Sequence, residues 1–181
     1  MVYILLAPGF EEAEALVPAD LLRRAGAEVA LVSLSGDLVP GSHSITVKAD
    51  LTLDQIDPGR VELVMLPGGL GGVNALGADP RVEPFVRRVY DNGGYVAAIC
   101  AAPTLLGAFG LLSGKRAVCY PGMEDQMPHA QSCPSVPFVV DGRVVTGEAA
   151  GSAFPFGLKL VELLRGADAA QQVKDAVHYH G

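Results

Sequence analysis

The sequence predicts an α/β protein built on a doubly wound, mostly parallel sheet with helices on both faces. Three observations carry that expectation. Apolar runs of strand length recur at residues 2–7, 29–34, 63–66 and 95–99, and they are continuous rather than alternating, as strands buried on both faces require. Helical patterns separate several of these runs, which is the order of βαβ units. Glycine-bearing turns follow the first and third runs, at the strand ends where ligands of such sheets bind. The length of 181 residues fits one domain over 1–181, large enough to bury roughly 70% of the surface an unfolded chain exposes.

Residues 2–7 read as a strand ending at Pro8-Gly9-Phe10. Glu11 and Glu12 then open a helix where its dipole favours acids, Ala13, Leu16, Val17, Leu21 and Leu22 carry it to Arg23 and Arg24, and Gly26 ends it. Pro18 inside that pattern predicts a kink or stagger. Residues 29–34 complete a βαβ unit, parallel by the crossover rule. Residues 36–47 are turn-rich and suggest an edge hairpin, and 50–58 a short helix or turn. The strand at 63–66 runs into Pro67-Gly68-Gly69-Leu70-Gly71-Gly72. That run is no dinucleotide fingerprint, because Asn74 stands where the third glycine is needed, and no Lys-Ser/Thr pair makes it a phosphate loop. It is either a turn whose N–H groups approach a ligand or a tight turn into a helix.

A helix over 82–90 leads through Asn92-Gly93-Gly94 to the strand at 95–99, and a further helix is expected over 104–112 behind Pro103. Residues 117–120 suggest a short strand and 121–137 an irregular stretch holding His129 and Cys133. Runs at 138–140 and 143–146 flank Asp141-Gly142, a strong hairpin signal. Ser152 is placed to cap a helix over 153–164, with Pro155 in its first turn, and a last helix covers about 169–177.

Composition excludes several classes. Thirteen basic residues against 20 acidic give a net charge of −7, which argues against nucleic acid or anionic membrane as partners. Cysteines at 100, 119 and 133 form no C-x-x-C, so neither a disulfide framework nor a zinc site is expected, and no metal or other cofactor is called for. His178 and His180 near the end of the chain define no ligand geometry. No apolar run approaches the roughly 18 residues of a membrane span, and the first residues lack the basic region of a signal peptide. A reducing cytoplasm is the expected setting.

The candidate chemistry converges on one sheet edge. Cys100 stands where a strand passes straight into Ala101-Ala102-Pro103, the shape of a nucleophile elbow, although a free cysteine can equally be a small buried hydrophobe. The N–H groups of Gly69 and Ala101 would point at a developing oxyanion. Glu14 faces the same edge if Ala13, Leu16 and Val17 face the core; the alternative is an acid favoured only by the helix start. A carboxylate touching a thiolate is unfavourable, so a contacting pair should hold one shared proton.

Four motifs occur in order: Gly9-Phe10-Glu11-Glu12-Ala13-Glu14, Leu66-Pro67-Gly68-Gly69, Ala97-Ala98-Ile99-Cys100-Ala101-Ala102-Pro103 and Gly151-Ser152-Ala153-Phe154. Together they resemble the ThiJ/PfpI superfamily, specifically its DJ-1 branch (the parkinsonism-associated deglycase and its bacterial relatives), over essentially the whole chain. The resemblance implies a flavodoxin-like sandwich, a homodimer, a reactive Cys100 hydrogen-bonded to a protonated Glu14, and an oxyanion site from Gly69 and Ala101. It also implies a small carbonyl substrate, with glyoxalase III-type conversion of methylglyoxal to lactate or protein deglycation as activities, and cysteine-oxidation sensing or chaperoning as alternatives. Ala101 replaces the histidine that follows the nucleophile in PfpI-type peptidases, so a Cys-His protease is not expected. The slot of a pocket histidine falls on Ala130, one residue beyond His129, and His43 and Glu148 stand where animal relatives carry pocket arginines.

Overall fold

The computed structural model describes residues 1–181, the side chain of Pro58 excepted. Its strands are β1 (Val2–Leu6), β2 (Val29–Ser33), β3 (Leu38–Pro40), β4 (Thr46–Lys48), β5 (Leu51–Thr52), β6 (Leu63–Leu66), β7 (Tyr95–Ile99), β8 (Arg116–Ala117), β9 (Gln131–Ser132), β10 (Phe138–Asp141) and β11 (Val144–Gly147). The helices are α1 (Glu12–Arg24), α2 (Leu70–Ala78), α3 (Val82–Asp91), α4 (Pro103–Ala108), α5 (Ala153–Arg165) and α6 (Ala167–Ala176). Seven strands form the central sheet in the order β10-β11-β7-β6-β1-β2-β5, parallel throughout except for the β10–β11 hairpin. The doubly wound α/β class expected from the sequence is the one observed.

The period of two along each strand explains why the apolar runs are unbroken. In β1, Tyr3 and Leu5 join Val64, Leu66, Leu76, Val86 and Leu106 on the face covered by α2, α3 and α4. Val2, Ile4 and Leu6 join Ala15, Leu22, Met65, Phe156 and Val161 on the face covered by α1 and α5. Helix α1 runs unbroken through Pro18, and Gly157 of α5 packs against that proline, since a Cβ there would lie 3.1 Å from the Pro18 Cα. Gly26 closes α1 with φ +73°, its N–H donating to the Arg23 carbonyl and that of Ala27 to Leu22, a Schellman pair.

Several expectations are corrected locally. The 36–47 hairpin is real, as β3–β4, but it forms a separate two-stranded sheet. Residues 50–58 contribute the short edge strand β5 before a 3₁₀ turn. Helix α4 stops at Ala108 because Gly110 adopts φ +71°. The strand expected at 117–120 shrinks to β8, because the Val118 N–H goes to the Thr146 hydroxyl and the Tyr120 N–H to the Cys100 carbonyl. Ser152 occupies the cap position of α5 but makes no side-chain capping bond.

The strand order reverses between β1 and β6, whose neighbours β2 and β7 lie on opposite sides. Ligands of open α/β sheets bind outside the carboxyl ends of strands at such a switch point. Here that position is framed by the Pro8–Glu11 loop after β1, the Pro67–Gly69 loop after β6 and Cys100 after β7.

Candidate active site

Cys100 is held in the left-handed region at φ +66°. A non-glycine residue there is strained and persists only where its surroundings fix it. The fixing bonds are backbone ones: the Cys100 N–H donates to the Gly147 carbonyl at 3.0 Å, and its carbonyl accepts the Tyr120 N–H at 2.8 Å. The thiol is thereby turned out of the sheet, half-buried.

Glu14, by contrast, is only 1% exposed. The gap between the two side chains is bridged by Gly68. A Cβ built on Gly68 would lie 2.5 Å from Glu14 Oε2, 2.6 Å from Cys100 Cβ and 3.1 Å from Cys100 Sγ, so carboxyl and thiol converge on the space a larger residue would fill. Oε2 accepts the Gly68 N–H at 2.8 Å. Oε1 has no partner of hydrogen-bonding geometry, the one such buried side-chain atom among the described residues. The thiol acts on the carboxyl as its side-chain neighbour without closing a full bond to Oε1. An orphaned carboxylate oxygen is costly, whereas the O–H of a neutral acid aimed at a thiolate is not.

The electrostatics agree. Burial pushes Glu14 up to about 7, against the opposing pull of Cys100 and the Gly68 N–H, and the Glu11 charge adds to the rise. Burial also pushes Cys100 up to about 12, helped by the Glu14 charge, while the N–H groups of Ala101 and Gly69 pull it back. Both shifts point one way: the pair resists a second negative charge, and the values belong to the couple rather than to either group. The N–H groups of Gly69 and Ala101 thus favour negative charge on the sulfur. Gly69 can do so because its φ of +83° and the backbone of Gly9 and Glu11 packed against it leave no room for a side chain.

The thiol opens on a cleft of about 510 Å³. Leu70, Tyr120, Pro121 and Met123 give it an apolar wall, and Glu11 and Gln126 a polar one. The sequence did not single out these wall residues; Tyr120-Pro121 at the end of an apolar run was the available signal. The expected elbow, Glu14, Gly69 and Ala101 come together. His129 and Glu148 do not line the cleft: His129 is exposed at φ +64°, its carbonyl accepting the Gly114 N–H, and the Glu148 N–H donates to the Pro137 carbonyl. Ala130, half-buried, packs on the α2–α4 side of the core. Cys119 is buried, and Cys133 lies in the loop after β9.

His43 sits beside the cleft rather than in it, its Nδ1 3.1 Å from Glu12 Oε2 and 3.4 Å from Glu11 Oε1. One donor atom each from Glu11, Glu12 and His43 falls within 4.8 Å of the others. Glu12 is already committed to the hairpin, accepting from the backbone N–H of His43 at 2.8 Å and of Ile45 at 3.3 Å and from the Ser42 hydroxyl at 3.1 Å. The Glu12 carboxylate is therefore largely taken up by the hairpin.

The DJ-1/PfpI family profile matches residues 1–163. The chain belongs to this family. Protein dj-1beta of Drosophila melanogaster is 41% identical over 172 residues, covering 94% of this chain and 92% of the relative. A protein named as a deglycase in Pyrococcus abyssi is 32% identical over 165 residues, covering 91% and 99%. The crystal structure of Drosophila DJ-1beta superimposes with a TM-score of 0.94 at 38% identity, over 98% of this chain and 96% of that one. Oxidized Toxoplasma gondii DJ-1 gives 0.93 at 32% identity, over 99% and 98%. The DJ-1/PfpI resemblance read from the four motifs, and the flavodoxin-like fold it implied, are both upheld.

Proposed function

We propose that this DJ-1/PfpI protein is a cysteine-dependent carbonyl-stress enzyme that converts 2-oxoaldehydes such as methylglyoxal to 2-hydroxy acids without glutathione, or removes related adducts from proteins. The observation that carries the reading is the convergence of the strained Cys100 thiol and the buried Glu14 carboxyl on the space beside Gly68, at the floor of an open cleft. The family and a relative named as a deglycase support a protective enzyme or sensor of the DJ-1 type.

The reactive tautomer is thiolate beside neutral acid. Cys100 sulfur adds to the aldehyde carbon, and the carbonyl oxygen takes the Glu14 proton to give a hemithioacetal. As charge leaves the sulfur, the N–H groups of Gly69 and Ala101 are the nearest donors for the new oxyanion. Glu14, now a carboxylate, removes the proton from the former aldehyde carbon and returns it to the adjacent carbon through an enediol. The product is a thioester of the 2-hydroxy acid. Water then cleaves it to lactate and the thiolate; one of the two protons set free returns to Glu14 and the other is released, so the sum is methylglyoxal plus water to lactate and a proton.

Incubation with methylglyoxal and assay of lactate tests this. Cys100→Ala should abolish turnover, and Glu14→Gln should lower it about 10² to 10⁴-fold, the usual worth of general acid–base help. Wild-type turnover equal to that of Cys100→Ala would refute the enzyme.

A redox sensor is the second reading, favoured by the donors already placed on the sulfur and by a relative solved in oxidized form. Two oxygens added to Cys100 would form a sulfinate held by those donors and by the Glu14 acid. Intact mass after graded peroxide should show a discrete two-oxygen species lost in Cys100→Ala; oxidation spread over Cys119 and Cys133 would count against it. The homodimer implied by the family resemblance and the cytoplasmic setting expected from the composition belong to the same proposal, and sedimentation of the purified protein tests the first.

A further inference from the structure

Glu11 shares the cleft with Cys100, and its carboxylate is not free. Oε2 accepts the Ser42 hydroxyl at 2.9 Å, and Oε1 lies 3.4 Å from His43 Nδ1. The same ring nitrogen is 3.1 Å from Glu12 Oε2. An unprotonated Nδ1 would set its lone pair against two carboxylates, so this nitrogen carries a proton, and the two negative charges favour the imidazolium over the neutral ring. Glu12 and Glu11 accordingly push the protonation of His43 upward. These are the charged groups that face the ring; its own hairpin adds the Ser42 hydroxyl, and the rest of the side chain is open to solvent, 69% exposed.

The hairpin turn does not depend on that proton for its position. Gly9 donates to the Pro40 carbonyl at 2.8 Å, Ser42 to the Phe10 carbonyl at 2.8 Å, and the His43 N–H to Glu12 Oε1 at 2.8 Å. Losing the proton therefore changes charge and leaves the loop in place. No cationic side chain lines the cleft among the described residues, so nothing in its walls replaces the imidazolium as counter-charge to Glu11.

We propose that His43 is a positioning residue that sets the charge selectivity of the Cys100 cleft: as a cation it anchors and offsets Glu11, so anionic electrophiles enter, and as a neutral ring it leaves Glu11 a bare anion that turns them away. The proposal rests on Cys100 being the reactive group of the cleft, as in the proposed function, but not on turnover of 2-oxoaldehydes. Its physiological meaning is a choice among carbonyl compounds. Neutral aldehydes are accepted at any pH, whereas those bearing a carboxylate are accepted only while His43 is charged.

The test compares alkylation of Cys100 by anionic iodoacetate and neutral iodoacetamide between about pH 6 and 9, bracketing the ordinary histidine range, read by peptide mass. The ratio of the two rates cancels the thiolate fraction and isolates the charge at the cleft. In the wild type the iodoacetate-to-iodoacetamide ratio should fall about three- to tenfold as pH rises, a size set by a partly screened charge pair. His43→Gln should give the low ratio at every pH, and His43→Lys should restore the high ratio and remove its pH dependence. Equal, pH-independent ratios in all three proteins would overturn the proposal, as would a low ratio in His43→Lys. If neither reagent labels Cys100, the reading of Cys100 itself fails and the proposal falls with it, whereas labelling without lactate formation defeats only the enzyme.

Discussion

Glu12 and Glu14 stand two residues apart at the start of α1, both buried, and their chemistry diverges. Burial alone would raise Glu12, yet its own N–H, those of His43 and Ile45 and the His43 ring outweigh it and hold the carboxyl at about 2. Glu14 receives one backbone N–H and a thiol, so burial wins and lifts it to about 7. Helix positions two residues apart are turned by about 200° and face different surroundings, one the β3–β4 hairpin and the other the Gly68 loop. The difference teaches that the count of donors, rather than burial, decides which acid is structural and which is free to move a proton.

The sharpest way to break the comparison is Gly68→Ala. Its methyl group would need the space held by Glu14 Oε2 and Cys100 Cβ, so the pair must separate. Turnover of methylglyoxal, assayed as lactate, should then fall at least about 100-fold, the worth of losing a general acid from the pair. An unchanged rate would mean that thiol and acid are independent. Glu12→Ala comes next. It strands the His43 and Ile45 N–H groups at the hairpin and should cost about 2–6 kcal/mol in urea unfolding, at roughly 1–3 kcal/mol for each unsatisfied donor. A loss under half a kcal/mol would show the hairpin needs no anchor.

Glu14→Gln should act in the opposite sense. The folded protein holds the Glu14 proton more tightly than the unfolded chain, so its contribution is full below about pH 4.5 and is lost as pH rises through about 7. A glutamine cannot ionise, and the variant should be more stable than wild type by roughly 1–3 kcal/mol at about pH 8, with no gain at pH 4. For Glu12 the sign reverses: its contribution is present above about 4.5 and lost as pH falls toward about 2. Glu12→Gln should therefore flatten the acid limb of the stability curve, and Glu14→Gln the neutral limb. The smallest effect is on the midpoint of Cys100 alkylation, which should fall in Glu14→Gln because the Glu14 charge that helps raise the thiol is gone, while burial keeps it above the ordinary thiol range.

Much of this arrangement was legible in the sequence because it rests on local rules. Continuous apolar runs named the doubly buried strands, Gly26 named the end of α1, and a cysteine between strand and proline named the elbow. The helical phase that pointed to Glu14 does not hold: Ala13 is exposed and Leu16 and Val17 are half-buried, while Ala15, Pro18 and Ala19 form the buried face beside Glu14. What escaped was set by distant partners. The Gly-rich run admits two readings from sequence, and the packing of Gly69 and Gly72 on the backbone of Gly9 and Phe10, from which Leu70 opens a full helix, is not visible to periodicity. The 117–120 strand was cut short by bonds from Val118 and Tyr120 to Thr146 and Cys100. Counting along the chain puts the pocket-histidine slot on Ala130, beside His129, yet Ala130 packs against the core and a left-handed backbone turns His129 to solvent. Gly68, which brings the acid and the thiol together, was visible only as one of several glycines.

The central claim is best tested by infrared difference spectroscopy of wild type minus Glu14→Gln as pH is raised from about 5 to 9, the span around the raised carboxyl. A protonated carboxylic acid band should be present at the acid end, well above the range where exposed carboxylates have ionised, and should weaken through about 7. A carboxyl already ionised at pH 5, with no protonated band in the difference, would contradict the shared proton on which the account depends.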